Sequence, residues 1–111
     1  MGPGDWAPGF AQVAGSHAQE ADLEPLEGYQ AEALICSYSW PCKDAIAVML
    51  CESGGVRNAF SEGNYGLFQI NGIHRARVSN EVDRLFDPAT NVEVAYSIWR
   101  EQGWKPWACQ P

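Results

Sequence analysis

One carboxyl in this sequence has neighbours that would make it reactive. Glu52 follows the apolar run Ala45-Ile46-Ala47-Val48-Met49-Leu50-Cys51 and precedes Ser53-Gly54-Gly55. Glycines just past an apolar helix are a C-terminal capping signal, so Glu52 is expected on the last turn of a helix buried on most of its faces. Apolar surroundings disfavour the carboxylate, and the negative end of the helix dipole disfavours it further; both effects hold the proton on Glu52. A carboxyl still protonated near neutral pH can act as a general acid. A solvated glutamate at a helix end is the competing reading of the same local sequence.

A second cluster lies shortly after it. Ser61-Glu62-Gly63-Asn64 reads as a turn, and Tyr65 to Asn71 alternates poorly, which suggests a turn or short hairpin leading into a helix. Gly66 lets backbone approach a ligand closely. Gln69 and Asn71 offer both hydrogen-bond donors and acceptors, suited to sugar hydroxyls and acetamido groups. Near the C-terminus, Trp104 and Trp107 could stack on pyranose faces, though aromatic residues also simply fill cores; one of the two is expected to line a cleft. His74, Arg75 and Arg77 form a small basic patch that reads first as a solvated face.

The elements that must hold these residues are legible in part. Pro41 can open a helix, with Ser39 as its cap, and the apolar run continues that helix to Cys51. Asp87-Pro88-Ala89-Thr90-Asn91-Val92-Glu93 opens a second one, with Pro in the first turn or, in another register, a Thr90-x-x-Glu93 capping box. Val92, Ala95, Tyr96 and Trp99 recur at helical spacing, so that face packs inward until Gly103 stops it. Leu85 and Phe86 are expected in the core.

Four cysteines, Cys36, Cys42, Cys51 and Cys109, permit three pairings. Cys42 and Cys51 would share a helix, on opposite faces and about 13 Å apart, beyond the roughly 7 Å that a bridge spans. Of the two sets left, the local loop Cys36–Cys42 with Cys51–Cys109 closing the domain is preferred, and the other stays open. Bridges imply an oxidising compartment. A zinc site is disfavoured because the sequence has no CxxC and only two histidines, His17 and His74. No metal or organic cofactor is expected.

Length and composition bound the rest. With 111 residues, 46% of them hydrophobic, the chain can build one core. Its longest apolar run falls far short of the roughly 20 residues of a membrane span. The formal charge of −7 argues against a nucleic-acid ligand, which would want basic stripes. Six of the 14 acids (Asp5, Glu20, Asp22, Glu24, Glu27, Glu32) precede the first Lys or Arg, and the same stretch collects Gly and Pro. Residues 1–30 therefore read as an acidic linker or arm, with short helical turns near Phe10 to Glu20 at most, and residues 31–111 as the folded domain. No basic stretch followed by an apolar run opens the sequence, so no secretory signal is read there.

Three phrases in order, Cys51-Glu52-Ser53-Gly54-Gly55, Asn64-Tyr65-Gly66-Leu67-Phe68-Gln69-Ile70-Asn71 and Gly103-Trp104-Lys105-Pro106-Trp107-Ala108-Cys109, resemble the lysozyme-like superfamily. The likeness runs from about Cys36 to Pro111. Within that superfamily the chain is most similar to the soluble lytic transglycosylase domain, and the first and third phrases also resemble the resuscitation-promoting factors. The resemblance implies an α+β, mostly α, lysozyme-like fold with a short turn or hairpin beside the cleft. It makes Glu52 the catalytic acid and the Gly-Leu-x-Gln segment a wall of the saccharide cleft, with Ser53, Asn64, Tyr65, Gln69, Asn71, Trp104 and Trp107 as expected substrate contacts. It also supports Cys51–Cys109, and it makes Asp87-Pro88-x-Thr90-Asn91 the opening of a scaffold helix.

Most glycosidases use two carboxyls. In animal-type lysozymes the nucleophilic aspartate precedes the Tyr-Gly pair, where this chain has Asn64; goose-type lysozymes place a supporting aspartate where Asn71 stands. Glu62 is the surviving local option for a second carboxylate. With a single acid/base, the resemblance to lytic transglycosylases implies cleavage of the MurNAc-β-1,4-GlcNAc bond of peptidoglycan to 1,6-anhydromuramoyl products. A hydrolytic muramidase using Glu62 and an inactive wall-binding module are the alternatives. The expected partner is the glycan strand, bound by a monomer, and the expected location is extracellular or in the cell envelope.

Overall fold

A computed structural model describes residues 28–111. Most of the 1–30 arm, including the turns expected near Phe10 to Glu20, lies outside the described residues. Helix α1 spans Gly28–Ile35, α2 spans Cys42–Ser53 and α3 spans Pro88–Gln102. Between α2 and α3 come three two-residue strands, β1 (Phe60–Ser61), β2 (Asn64–Tyr65) and β3 (Ile70–Asn71), and two 3-10 helices over Gly72–Val78 and Val82–Phe86. The described body is mostly helical with a small antiparallel sheet, in the order β1-β2-β3.

Local chemistry accounts for the helix ends. Asp87 caps α3, its carboxylate accepting from the Thr90 amide at 3.0 Å and from the Thr90 hydroxyl at 2.9 Å, with Pro88 in the first turn. The capping-box register at Thr90 and Glu93 is therefore not the one adopted. Pro41 itself occupies the cap position of α2, without a side-chain hydrogen bond, in place of the expected Ser39. Gly54 ends α2 in the left-handed conformation, its amide bonded to the Leu50 carbonyl at 2.9 Å.

Helix α2 buries only Ala45, Val48 and Met49, an i, i+3, i+4 stripe, while Leu50 stays 52% exposed. Its sequence is apolar on more faces than the other described elements cover. The expectation of burial on most faces is corrected accordingly. Trp40, in the turn between α1 and α2, centres the core: its ring lies 5.4 Å from Phe68, 5.4 Å from Tyr96 and 5.6 Å from Trp104, and its indole N–H donates to the Ile35 carbonyl. Leu85 is fully buried, while Phe86 is partly buried against the Tyr65 ring at 5.3 Å.

The hairpin turns on Glu62 and Gly63, with φ of 54° and 80°. Positive φ at both central residues suits the right-handed twist of a two-residue loop. Strand β2 pairs Asn64 with Asn71 and Tyr65 with Ile70 of β3. The tight link between β2 and β3 begins at Gly66, φ 77°, where a Cβ would lie 2.5 Å from Asn91 Nδ2 and closer still to the Leu85 carbonyl oxygen. Only glycine fits there.

Both bridges of the preferred set are present. Cys36–Cys42 spans 5.1 Å between Cα atoms and ties the turn ahead of α2; Cys51–Cys109 spans 6.1 Å and ties the end of α2 to the C-terminal segment.

Candidate active site

Glu52 stands in the last turn of α2, partly exposed. The preceding residue is bridged to Cys109, and the Cys109 amide donates to Glu52 Oε2 at 3.0 Å. One disulfide and one hydrogen bond thus join the same two short segments, which restricts the carboxyl to few orientations.

Two residues before Cys109, Trp107 is almost fully buried and its indole N–H donates to the Phe68 carbonyl at 2.8 Å. Trp107 forms part of the wall of a cleft of about 390 Å³, together with Asn64, Gln69, Ile70, Asn71, Ile73, His74, Ile98, Gln102 and Pro106. The described lining is amide-rich and carries no carboxylate, a surface suited to neutral, hydroxyl- and amide-bearing ligands. Glu52 does not line this cleft. It is tied instead to Cys109, two residues after Trp107 of the cleft wall.

Side-chain hydrogen bonds hold the cleft wall rigid. Gln69, itself at φ 50°, donates through Nε2 to the Ala59 and Gly66 carbonyls at 3.2 and 3.0 Å. Asn71 donates to Asn64 Oδ1 at 3.1 Å across the strand pair, and its own Oδ1 accepts from the Ile73 amide at 2.9 Å, capping the 3-10 helix. Behind them stands Asn91, the one fully buried polar side chain among the described residues. It accepts from the Phe68 amide and donates to the Tyr65 and Leu85 carbonyls, each at 2.8 Å. Two of these bonds fix the Tyr65–Phe68 turn from the scaffold helix, and the third ties the same side chain to the 3-10 helix Val82–Phe86.

The structure therefore gathers Asn64, Gln69, Asn71 and Trp107 into one cleft and places the other expected residues elsewhere. Ser53 bonds locally, donating to the Met49 carbonyl and accepting from the Gly55 amide. The Tyr65 ring packs between Phe60 at 5.1 Å and Phe86 at 5.3 Å. Trp104 stacks on Trp40. Glu62 is exposed at the hairpin tip.

Sequence reasoning missed Asn91 and Gln102 as parts of this region. Their signal was present: Asn91, Ala95, Ile98 and Gln102 follow helical spacing, so a polar residue falls on the inward stripe at each end. The basic patch is not simply solvated, since Arg77 pairs with Glu101 at 2.8 Å and His74 lines the cleft. Among the described residues no group of three His, Cys, Asp or Glu side chains could hold a metal ion, and no helix is long and apolar enough to cross a membrane.

Comparison with known proteins adds one positive finding. The sequence model of the family described as "Lysozyme like domain" matches residues 40–109, more than half of the chain. No curated protein and no solved structure matches it.

Proposed function

Since the chain belongs to the lysozyme-like domain family, which suggests a peptidoglycan-acting glycosidase, we propose that it is a lytic transglycosylase that cleaves the MurNAc-β-1,4-GlcNAc bond with Glu52 as its single acid/base. The observation that carries this reading is the combination of one carboxyl, fixed through Oε2 by the Cys109 amide, with a neighbouring cleft whose described lining holds amides and no second carboxylate.

The glycan strand lies along the cleft and runs past Trp107 and Cys109 to reach Glu52, which stands outside the cleft lining and meets the scissile bond there. Glu52 donates its proton to the glycosidic oxygen as the bond from C1 of the muramoyl residue breaks, and the GlcNAc hydroxyl leaves. The resulting carboxylate then takes the proton from the muramoyl C6 hydroxyl, whose oxygen closes on C1. The product is a 1,6-anhydro ring, Glu52 regains its proton, and no water is consumed. The family resemblance puts Asn64 and Asn71, which are bonded to each other, at the positions where animal-type and goose-type lysozymes carry a carboxylate. Glu62, the remaining candidate for that task, sits exposed at a hairpin tip. The two disulfides support an extracellular or envelope location, and the domain works as a monomer on the strand.

The test is the mass of muropeptides released from purified peptidoglycan. Products lighter by one water, without a reducing end, are expected. Reducing muramic ends would contradict the intramolecular route and point to a hydrolytic muramidase, and the absence of any product would point to a wall-binding module.

A further inference from the structure

His74 has no part in that chemistry, yet its surroundings are built. It stands in the 3-10 helix Gly72–Val78 and forms part of the cleft wall beside Asn71, Gln102 and Trp107. Arg77 Nε donates to His74 Nδ1 at 3.2 Å. A guanidinium N–H can only donate, so Nδ1 presents its lone pair and the ring is neutral, with its proton on Nε2. Arg77 is fixed in turn by both carboxylate oxygens of Glu101, at 2.8 and 3.2 Å, and by Ser97 Oγ at 3.1 Å. Ser97 donates to the Val94 carbonyl at 2.7 Å. Helix α3 thereby sets the tautomer of a residue on the cleft wall. Burial, and then Arg77, push the proton affinity of His74 down against the opposing pull of Glu101, which agrees with a neutral ring.

Part of the donor capacity of the amide wall is already taken up by the protein itself. The Gln69 amino group is engaged by two carbonyls, and that of Asn71 by Asn64. His74 Nε2–H has no partner among the described residues. Beside it Ile73 is 76% exposed, an apolar shelf at the edge of the cleft.

Resting on the reading of this cleft as a glycan site, we propose that His74 is a specificity residue that donates from Nε2 to the carbonyl oxygen of an N-acetyl group on the bound strand. A neutral group presenting only a donor suits an oxygen that only accepts. A de-N-acetylated sugar would bring an ammonium and no carbonyl, and would lose this bond.

The test uses the whole chain and two probes, an N-acetylglucosamine tetramer and its de-N-acetylated counterpart, followed by the imidazole nitrogen signals of His74 and by titration calorimetry. The Nε2-protonated neutral signature is expected in the free protein, shifting when the acetylated tetramer binds. Loss of one net hydrogen bond in His74→Ala weakens that binding roughly 3- to 10-fold. His74→Gln, which places an N–H at similar reach, restores most of it. The loss falls on KM more than on kcat, and the preference for the acetylated probe shrinks with it. Equal affinity of native and His74→Ala protein, or an imidazole signal unmoved by the tetramer, would overturn the proposal. Failure of the native protein to bind the tetramer would also overturn it, and muropeptide release by the same preparation would then show the lytic reading standing without it.

Discussion

Replacing Cys51 and Cys109 together by alanine removes the longer of the two bridges, and its cost can be worked out from the chain. The bridge closes a sequence separation of 58, against 6 for Cys36–Cys42. In the chain-entropy account these loops constrain the unfolded state by about 4 and about 2 kcal/mol respectively. Small domains hold only about 5–15 kcal/mol in all. Urea unfolding of Cys51→Ala/Cys109→Ala should therefore lose roughly twice the stability lost by Cys36→Ala/Cys42→Ala. A functional effect comes with it, because the Cys109 amide that holds Glu52 Oε2 sits on the released segment. A net hydrogen bond is worth about 0.5–1.5 kcal/mol. Lytic turnover should fall roughly 2- to 10-fold even at temperatures where circular dichroism reports a folded protein. A cost below that of the short bridge, or unchanged turnover in the folded double variant, would refute the view that this disulfide positions the acid.

Two further outcomes follow from the scaffold. Asn91→Ala removes three buried hydrogen bonds and leaves the Phe68 amide and the Tyr65 and Leu85 carbonyls without that partner; about 3–5 kcal/mol of stability should be lost in urea unfolding, and a loss below about 1 kcal/mol would contradict the role given to it. Stability should also decline as pH falls below about 6.5, the ordinary imidazole value, because the lowered proton affinity of His74 lets the unfolded chain take up its proton first. The Arg77 hydrogen bond holds the Glu101 carboxyl below its usual range, so its contribution is complete above the ordinary carboxylate value and is lost only as pH drops through the lowered folded one. Melting temperatures from about pH 7.5 to about pH 5.5 should fall less in His74→Gln than in the native protein; identical slopes would rule out His74 as the source.

What the sequence made legible was what local chemistry decides. Gly54 ends α2 where expected, and Asp87-Pro88 opens α3, because caps are written in adjacent residues. The cleft-wall residues Asn64, Gln69 and Asn71 lie in a short turn-rich phrase whose strand pairing is local, although Asn91 anchors its turn from outside. Relations across the chain were harder to read. Trp40 as the centre of the core depends on aromatic rings distant in sequence, at positions 68, 96, 99 and 104, as well as on nearby Tyr38. The partial exposure of α2 depends on which of its faces the other elements cover. Asn91 reads as a helix-start residue until Gly66 and the Tyr65–Phe68 turn are seen packed against it. The Arg77–Glu101 pair joins residues 24 apart and turns an expected solvated patch into a support for His74.

The central claim, that Glu52 is the acid/base, is tested most directly by comparing the native protein with Glu52→Gln on purified peptidoglycan, with turbidity clearance and binding to the insoluble wall measured on the same samples. Glutamine keeps the shape and an oxygen that can accept from the Cys109 amide but has no proton to give to the glycosidic oxygen. Loss of clearance with unchanged folding and retained binding is the predicted result. Clearance at the native rate by Glu52→Gln would contradict the account.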